Sequence, residues 1–393
     1  MDHVLSRIGY GPNAESRTRA DCLGLRAYIE EQLAPASIAD PDVDSIVGAY
    51  PTVGMSLSQL KRQAESGPAL SNKDEAKRVK LLRAVYSRRQ LEQVLVDFWF
   101  DHLNVDAGDG IANWAVMSYE RDAIRAHVLG KFGDMLLASA RHPAMLDYLD
   151  NAYSRKDTVD KNGKLKKGLN ENYGREFLEL HTLGVDGGYT QADVIAVARA
   201  FTGWTLDWDF RTDGFRFDAS AHDTGAKTVM GSLQIPAGGG EQDGRAVVAF
   251  MATHPMTAER VSRLLVARFI DEQPPLSVVV RAQQKYLETG GDLREVMRTI
   301  LLSDEFLSLA HQRAKVKRPL VFVASFARAA GLAFPTLRER GVRDVQDLGE
   351  ILLEAKPPTG YPDASSAWGG PGALLARFNL LAGYADNASS RGL

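Results

Sequence analysis

Apolar residues recur at helical spacing along most of the chain: Leu23, Leu25, Tyr28, Ile29 and Leu33, then Leu81, Leu82 and Val85, then the run from Leu91 to Val105. This period predicts helices near 21–34, 56–66, 73–104, 114–149, 170–183 and 190–202, with more after residue 243. Ser56 with Gln59, Asn72 with Glu75 and Thr190 with Asp193 read as capping pairs at three of the starts. The expected fold is therefore mainly α, a multi-helix globular stack. One stretch breaks the pattern. Near 204–235, Phe215, Phe217, Thr228, Val229 and Met230 lie between Gly and Asp turns without a helical period, which predicts a small β-hairpin excursion. Two loops stand out by composition, 154–168 with its Asn162-Gly163 turn signal and the Gly-rich 236–244. The second divides an N-terminal helical lobe, 1–240, from a C-terminal helical lobe, 241–393, although the two could form one continuous domain.

Composition narrows the function classes. With 45% hydrophobic and 25% charged residues, 393 residues can bury a large core, so disorder is not expected. A formal charge of -3 gives no global attraction to phosphate backbones, which argues against nucleic acid as a partner. No apolar run is long enough to span a membrane, and Met1 to Tyr10 lacks the regions of a leader peptide. The single cysteine, Cys22, cannot form an internal disulfide and reads as a small buried hydrophobe.

Candidate chemistry lies where polar groups interrupt apolar arcs. His102 falls near the middle of the arc made by Leu91, Val94, Leu95, Phe98 and Val105. On the helix 170–183, Glu176 projects between Leu180 and Leu183 and should be largely buried, while Glu171, Arg175 and Glu179 form i,i+4 pairs on the polar side. A carboxylate on an apolar stripe needs a cation, a proton or a metal. Three readings stay open: a buried salt bridge to Arg125 or Arg175, a metal held by imidazole and carboxylates, or a carboxylate pair acting as general acid and base. A loop presents His222, Asp223 and Lys227. His142 and His254 each precede a proline and read as helix caps, and His181 sits near a helix end where a cationic ring suits the dipole. No phosphate-binding Gly-rich loop, Gly-x-Ser-x-Gly elbow or His-Glu-x-x-His helix occurs.

The stretches SRIGYGP, FWFDHLNV, HPAMLDYLDN, LNENYGREFLELHTLGV, YTQADVIAVARAFTGW, AHDTGAKTVMG, HPMTAERV and PPTGYPD run over nearly the whole chain. In them it resembles the bacterial domain-of-unknown-function family 1800. The resemblance implies that His102, Asp150, Asn151, Asn170, Glu171, Asn172, Arg175, Glu176, Glu179, His222 and Asp223 occupy motif positions. It also implies export to the periplasm or beyond and a sulfatase-like neighbour protein, hence an envelope or extracellular polymer as substrate.

Three functional expectations follow. The first is a metal-dependent hydrolase or oxidoreductase in which His102, Glu176 and His222 hold a divalent transition metal, zinc, manganese or iron, with Glu171, Glu179 and Asp223 in proton transfer or orientation. Asn172 and Arg175 would then bind substrate, and Lys164, Lys166 and Lys167 of the 154–168 loop would form a basic flap favouring an anionic one. The second is a metal-free glycan hydrolase using two of Glu171, Glu176, Glu179 and Asp223. The third is a non-catalytic partner or assembly protein in which the polar groups only lock helices together.

Overall fold

The computed structural model describes residues 1–67 and 70–390. Among them are twenty α-helical segments and three two-stranded antiparallel sheets, so the fold is mainly α with small hairpins. No helix among the described residues is long and apolar enough to cross a membrane.

The long helices expected from periodicity are broken at definable places. The stretch 73–104 is two helices, Asn72–Tyr86 and Gln90–His102. Between them Ser87 turns extended and Arg88 donates its backbone N–H to the Asp40 carboxylate, so the chain leaves the helix without an unpaired donor. The cap of the first is Ser71, whose hydroxyl accepts from the Asp74 N–H, one residue earlier than the expected Asn72. Asn72 instead donates its side-chain amide to the Leu60 and Trp114 carbonyls. The capping pairs at Ser56 and Thr190 form as expected.

The stretch 114–149 is interrupted more often. An α-helix Ala112–Ser118 runs into a π segment, Tyr119–Ile124, and two helices follow, Phe132–Arg141 and Pro143–Tyr148. Pro143 ends one and starts the other, because its ring disfavours helical backbone at His142 while its missing N–H is harmless in a first turn. Both His142 and His254 cap the helices that begin at the following prolines, each accepting a backbone N–H at 3.2 Å through Nδ1.

The helix Gln90–His102 is deeply buried: Leu91, Val94, Leu95, Val96, Trp99 and Phe100 all lie in the core. One hydrophobic cluster extends from Val4 to Leu353, drawing on both sides of residue 240. Just past the C-terminus of this helix, Asn104 donates to the carbonyls of Ala355 and Pro357 far along the chain. The excursion at 204–235 is two hairpins, Trp204–Leu206 with Phe215–Phe217 and Lys227–Val229 with Leu233–Ile235. Residues 154–168 contain the third, Thr158–Val159 with Leu165–Lys166. Cys22 is exposed, against expectation, because its short helix Ala14–Leu23 is largely polar and buries only Ser16 and Ala20.

Candidate functional site

The helix carrying Glu176 begins where the Asn170 side chain accepts the Asn172 N–H at 2.9 Å. It is α-helical only over Asn172–Glu176 and continues as a π segment over Phe177–Thr182. Close packing fixes its first half: a Cβ on the buried Gly174 would lie 2.9 Å from the backbone nitrogen of Ala198 on the neighbouring helix Gln191–Phe201. Tyr173 and Phe177 meet Phe201 edge-on, with ring centroids 5.0 and 5.2 Å away. The π turn holds one residue more than an α turn, so residues beyond it are rotated by about 100° relative to a regular helix. His181, inside the π segment, is buried in the core, and Glu176, before it, is left half-buried.

This rotation decides the chemistry. His181 is 1% exposed, and neither ring nitrogen has a hydrogen-bond partner among the described residues. Burial, with His102 and Arg260 adding to it, lowers its pKa to about 3, so the ring is neutral and not the dipole-stabilised cation expected at a helix end. Its backbone carbonyl accepts a hydrogen bond from His102 Nε2 at 3.1 Å. His102 lies among Phe98, Trp99 and Phe132, and burial, then Arg260, brings its pKa to about 4.

Glu176 has no hydrogen bond or ion pair among the described residues. Burial first, and the charge of Glu179 second, raise its pKa above the usual glutamate value, with Arg175 opposing. The salt-bridge reading therefore finds no partner: Arg125 pairs with Glu120 at 2.7 Å, and Arg175 with Glu171 at 3.3 Å and Gln191 at 2.9 Å. Glu179 accepts from the Tyr189 hydroxyl at 3.2 Å and is felt by Arg260, whose guanidinium donates to the Leu180 carbonyl. Glu171 is held by Arg175 and by Gln191, which donates at 2.6 Å. Asn172 is exposed, with its amide 3.4 Å from the Leu149 carbonyl.

The hairpin cluster is organised differently. His222, 1% exposed, has Nδ1 2.8 Å from the Thr202 carbonyl and Nε2 3.2 Å from Asp243 Oδ2, so both ring nitrogens are occupied within the protein. Lys227 Nζ donates to Asp243 at 2.7 Å, to the Asp223 carbonyl at 2.6 Å and to the Gly225 carbonyl at 2.8 Å, which uses all three of its hydrogens. Asp223 takes a bidentate bond from Arg199, both distances 2.9 Å. Other motif positions also tie backbone: Asn151 donates to the Phe201 and Trp204 carbonyls, and Asp150 adopts a left-handed turn, φ 60°.

The expected donors are thus not gathered into one centre. No hydrogen bond or ion pair joins His102 to Glu176 or either to His222, and no group of three or more His, Cys, Asp or Glu among the described residues is placed to hold a metal ion. His102, Glu176 and His222 as a set do not fit a metal. Lys164, Lys166 and Lys167 are exposed on the 158–166 hairpin and its following turn. Lys156 N–H joins that loop to the Ala221 carbonyl beside His222, at 2.7 Å.

Sequence reasoning missed a buried charge network on the other face of the helix Gln90–His102. Arg318 donates to Asp101 and to Glu350 and lies 3.4 Å from Asp97, which is 2.9 Å from Lys80. Although burial opposes it, Arg318 and Lys80 hold Asp97 below the usual aspartate range; burial, with Asp97 adding to it, raises Asp101 above that range. The spacing of Asp97 and Asp101, four apart on an apolar helix, was the available signal.

A search of curated proteins and of solved structures found no match. Residues 3–390 match the family described as a protein of unknown function (DUF1800), which covers essentially the whole chain, and the chain belongs to that family.

Proposed function

We propose that the chain is a hydrolase that works by general acid and base catalysis through side chains of the Asn172–Thr182 helix. Glu176 would be the proton donor and Glu179 the second carboxylate. The observation that supports this reading is the unpartnered Glu176 carboxyl, half-buried and with its pKa raised by burial and by Glu179. A carboxyl that holds its proton above the usual range can protonate a leaving oxygen, and an adjacent ionised carboxylate can receive a proton or stabilise developing positive charge. Glu171, Arg175 and Asn172 stand at the exposed start of the same helix, where they would contact substrate. An envelope or extracellular polymer is the substrate class proposed from the family resemblance, with a sulfatase-like protein as a neighbour; the formal charge of -3 argues against nucleic acid. The 158–166 hairpin with Lys164, Lys166 and Lys167 would favour anionic polymers. The test is release of reducing ends from a panel of neutral and anionic polysaccharides by wild type and Glu176→Gln. Turnover lost by about 100-fold or more in a variant with an unchanged melting temperature supports the assignment; equal turnover, or none by the wild type on any glycan, rejects it.

A metal-dependent hydrolytic or oxidative enzyme is the second reading, and it rests on His181. The enclosed, unpartnered ring of His181 beside His102 is a costly arrangement, and a bound zinc, manganese or iron ion would take one of its two nitrogens. Elemental analysis of protein purified without chelator separates the two: stoichiometric metal lost in His181→Ala favours this reading, and sub-stoichiometric metal after supplementation removes it.

A further inference from the structure

A cavity of about 480 Å³ opens between the N-terminal helix Asp2–Arg7 and the segment leading into the helix Pro319–Ala330. Its wall carries six cations, Arg7, Arg268, Arg313, Lys315, Lys317 and Arg318, against the carboxylates of Asp2 and Asp363. Three of the six already have acids. Lys315 and Arg268 pair with Asp363, and Arg318 with Asp101 and Glu350 behind the wall. Asp2 is turned outward to Arg17, at 3.0 Å.

Arg7, Arg313 and Lys317 have no carboxylate within ion-pair distance among the described residues. Arg7 donates to the His311 carbonyl at 3.0 Å, and Lys317 to the Ser325 hydroxyl. Both cations are partly enclosed, and burial lowers the pKa of each. Arg7 still feels the carboxylates of Asp271, Asp363 and Glu272, whereas Lys317 is removed from water with no counter-charge, and an anion entering the cavity would supply one. In a chain whose formal charge is -3, this local excess is not a consequence of composition.

We propose that this cavity binds a small molecule bearing a phosphate monoester, with Arg7, Lys317 and Arg313 around the phosphate. The volume falls within the range of small-molecule sites, and a dianion with three acceptor oxygens matches a guanidinium fork and an ammonium point charge. The site is separate from the Glu176 helix and does not depend on its catalytic reading.

The experiment is isothermal titration of the full chain with inorganic phosphate and with glycerol 1-phosphate, at low and at 0.5 M salt. Saturable one-to-one binding of the ester, competitive with phosphate and weakened by salt, is expected. Lys317→Gln and Arg313→Gln should each weaken it by about tenfold, and Lys317→Arg should restore most of the affinity. Arg313 is exposed, so its variant reads binding without disturbing the core. No saturable heat with either compound at low salt, equal affinity in wild type and both Gln variants, or binding of phosphate with the ester excluded would each overturn the proposal.

Discussion

Around Lys227, a buried ammonium meets three oxygen acceptors, and a buried histidine has both ring nitrogens engaged. Around Glu176, some of the same residue types are present, yet the carboxyl has no partner and His181 has two idle nitrogens. The first cluster can do little except hold two hairpins to the helix Glu241–Ala252. The second leaves the enclosed His181 ring without hydrogen bonds and a half-buried Glu176 carboxyl open to water with no protein partner, an arrangement that acid and base chemistry would use. Both come from polar motif positions, so residue type did not separate architecture from chemistry. Completion of the hydrogen bonding does.

Mutation should expose the contrast. Asp243→Ala strands Lys227 and His222 in the core, and breaking a buried pair in this way typically costs about 3 to 5 kcal/mol, so the melting temperature should fall by several degrees. A change below about 1 kcal/mol would show that the cluster is not the lock described.

Acid should loosen the molecule through its buried rings. His142 and His181 have folded pKa values of about 4 and about 3, below the ordinary histidine value, chiefly because burial excludes the charge. The unfolded chain takes up protons near pH 6.5 and the folded chain does not, so stability is complete above that pH and is lost as pH falls toward 4. Each ring contributes roughly 3 kcal/mol over that window. Urea unfolding at pH 7, 5.5 and 4.5 measures this, and a flat profile would contradict it.

Gly174→Ala tests the close helix contact. The added methyl meets the backbone of Ala198, which cannot rotate away, and overpacking of this kind costs about 1 to 3 kcal/mol. An unchanged melting temperature would mean that the two helices are less tightly apposed.

The smallest effect has the opposite sign. Glu176 has a raised folded pKa, so its carboxylate is disfavoured in the folded state once ionised, and stability falls as pH rises through that value. Glu176→Gln should therefore match or slightly exceed wild-type stability at pH 8, with the difference gone at pH 4. Clear destabilisation at pH 8 would reveal a cation partner.

Helical class, the cap pairs at Ser56 and Thr190, and the hairpin region were legible because period and turn chemistry are local. The caps formed by His142 and His254 were legible for the same reason. Glu176 and His181 were misjudged in burial because the π segment that follows Glu176 and contains His181 alters the helical phase, and no residue type marks a π turn in advance. The Arg318 network escaped notice because Asp97, Arg318 and Glu350 come together only through tertiary packing. The basic cavity was invisible for the same reason, since its walls are more than 250 residues apart in the chain.

The central claim is that burial and the charge of Glu179 raise the Glu176 pKa above that of an ordinary glutamate. Carbon-13 NMR of selectively labelled glutamate carboxyls, titrated over pH 3 to 8 and assigned by comparison with Glu176→Gln, measures this directly. The account predicts a Glu176 midpoint above the 4.5 of an ordinary glutamate, moving down when Glu179 is replaced by Gln. A midpoint at or below that value, or one indifferent to Glu179, would contradict it.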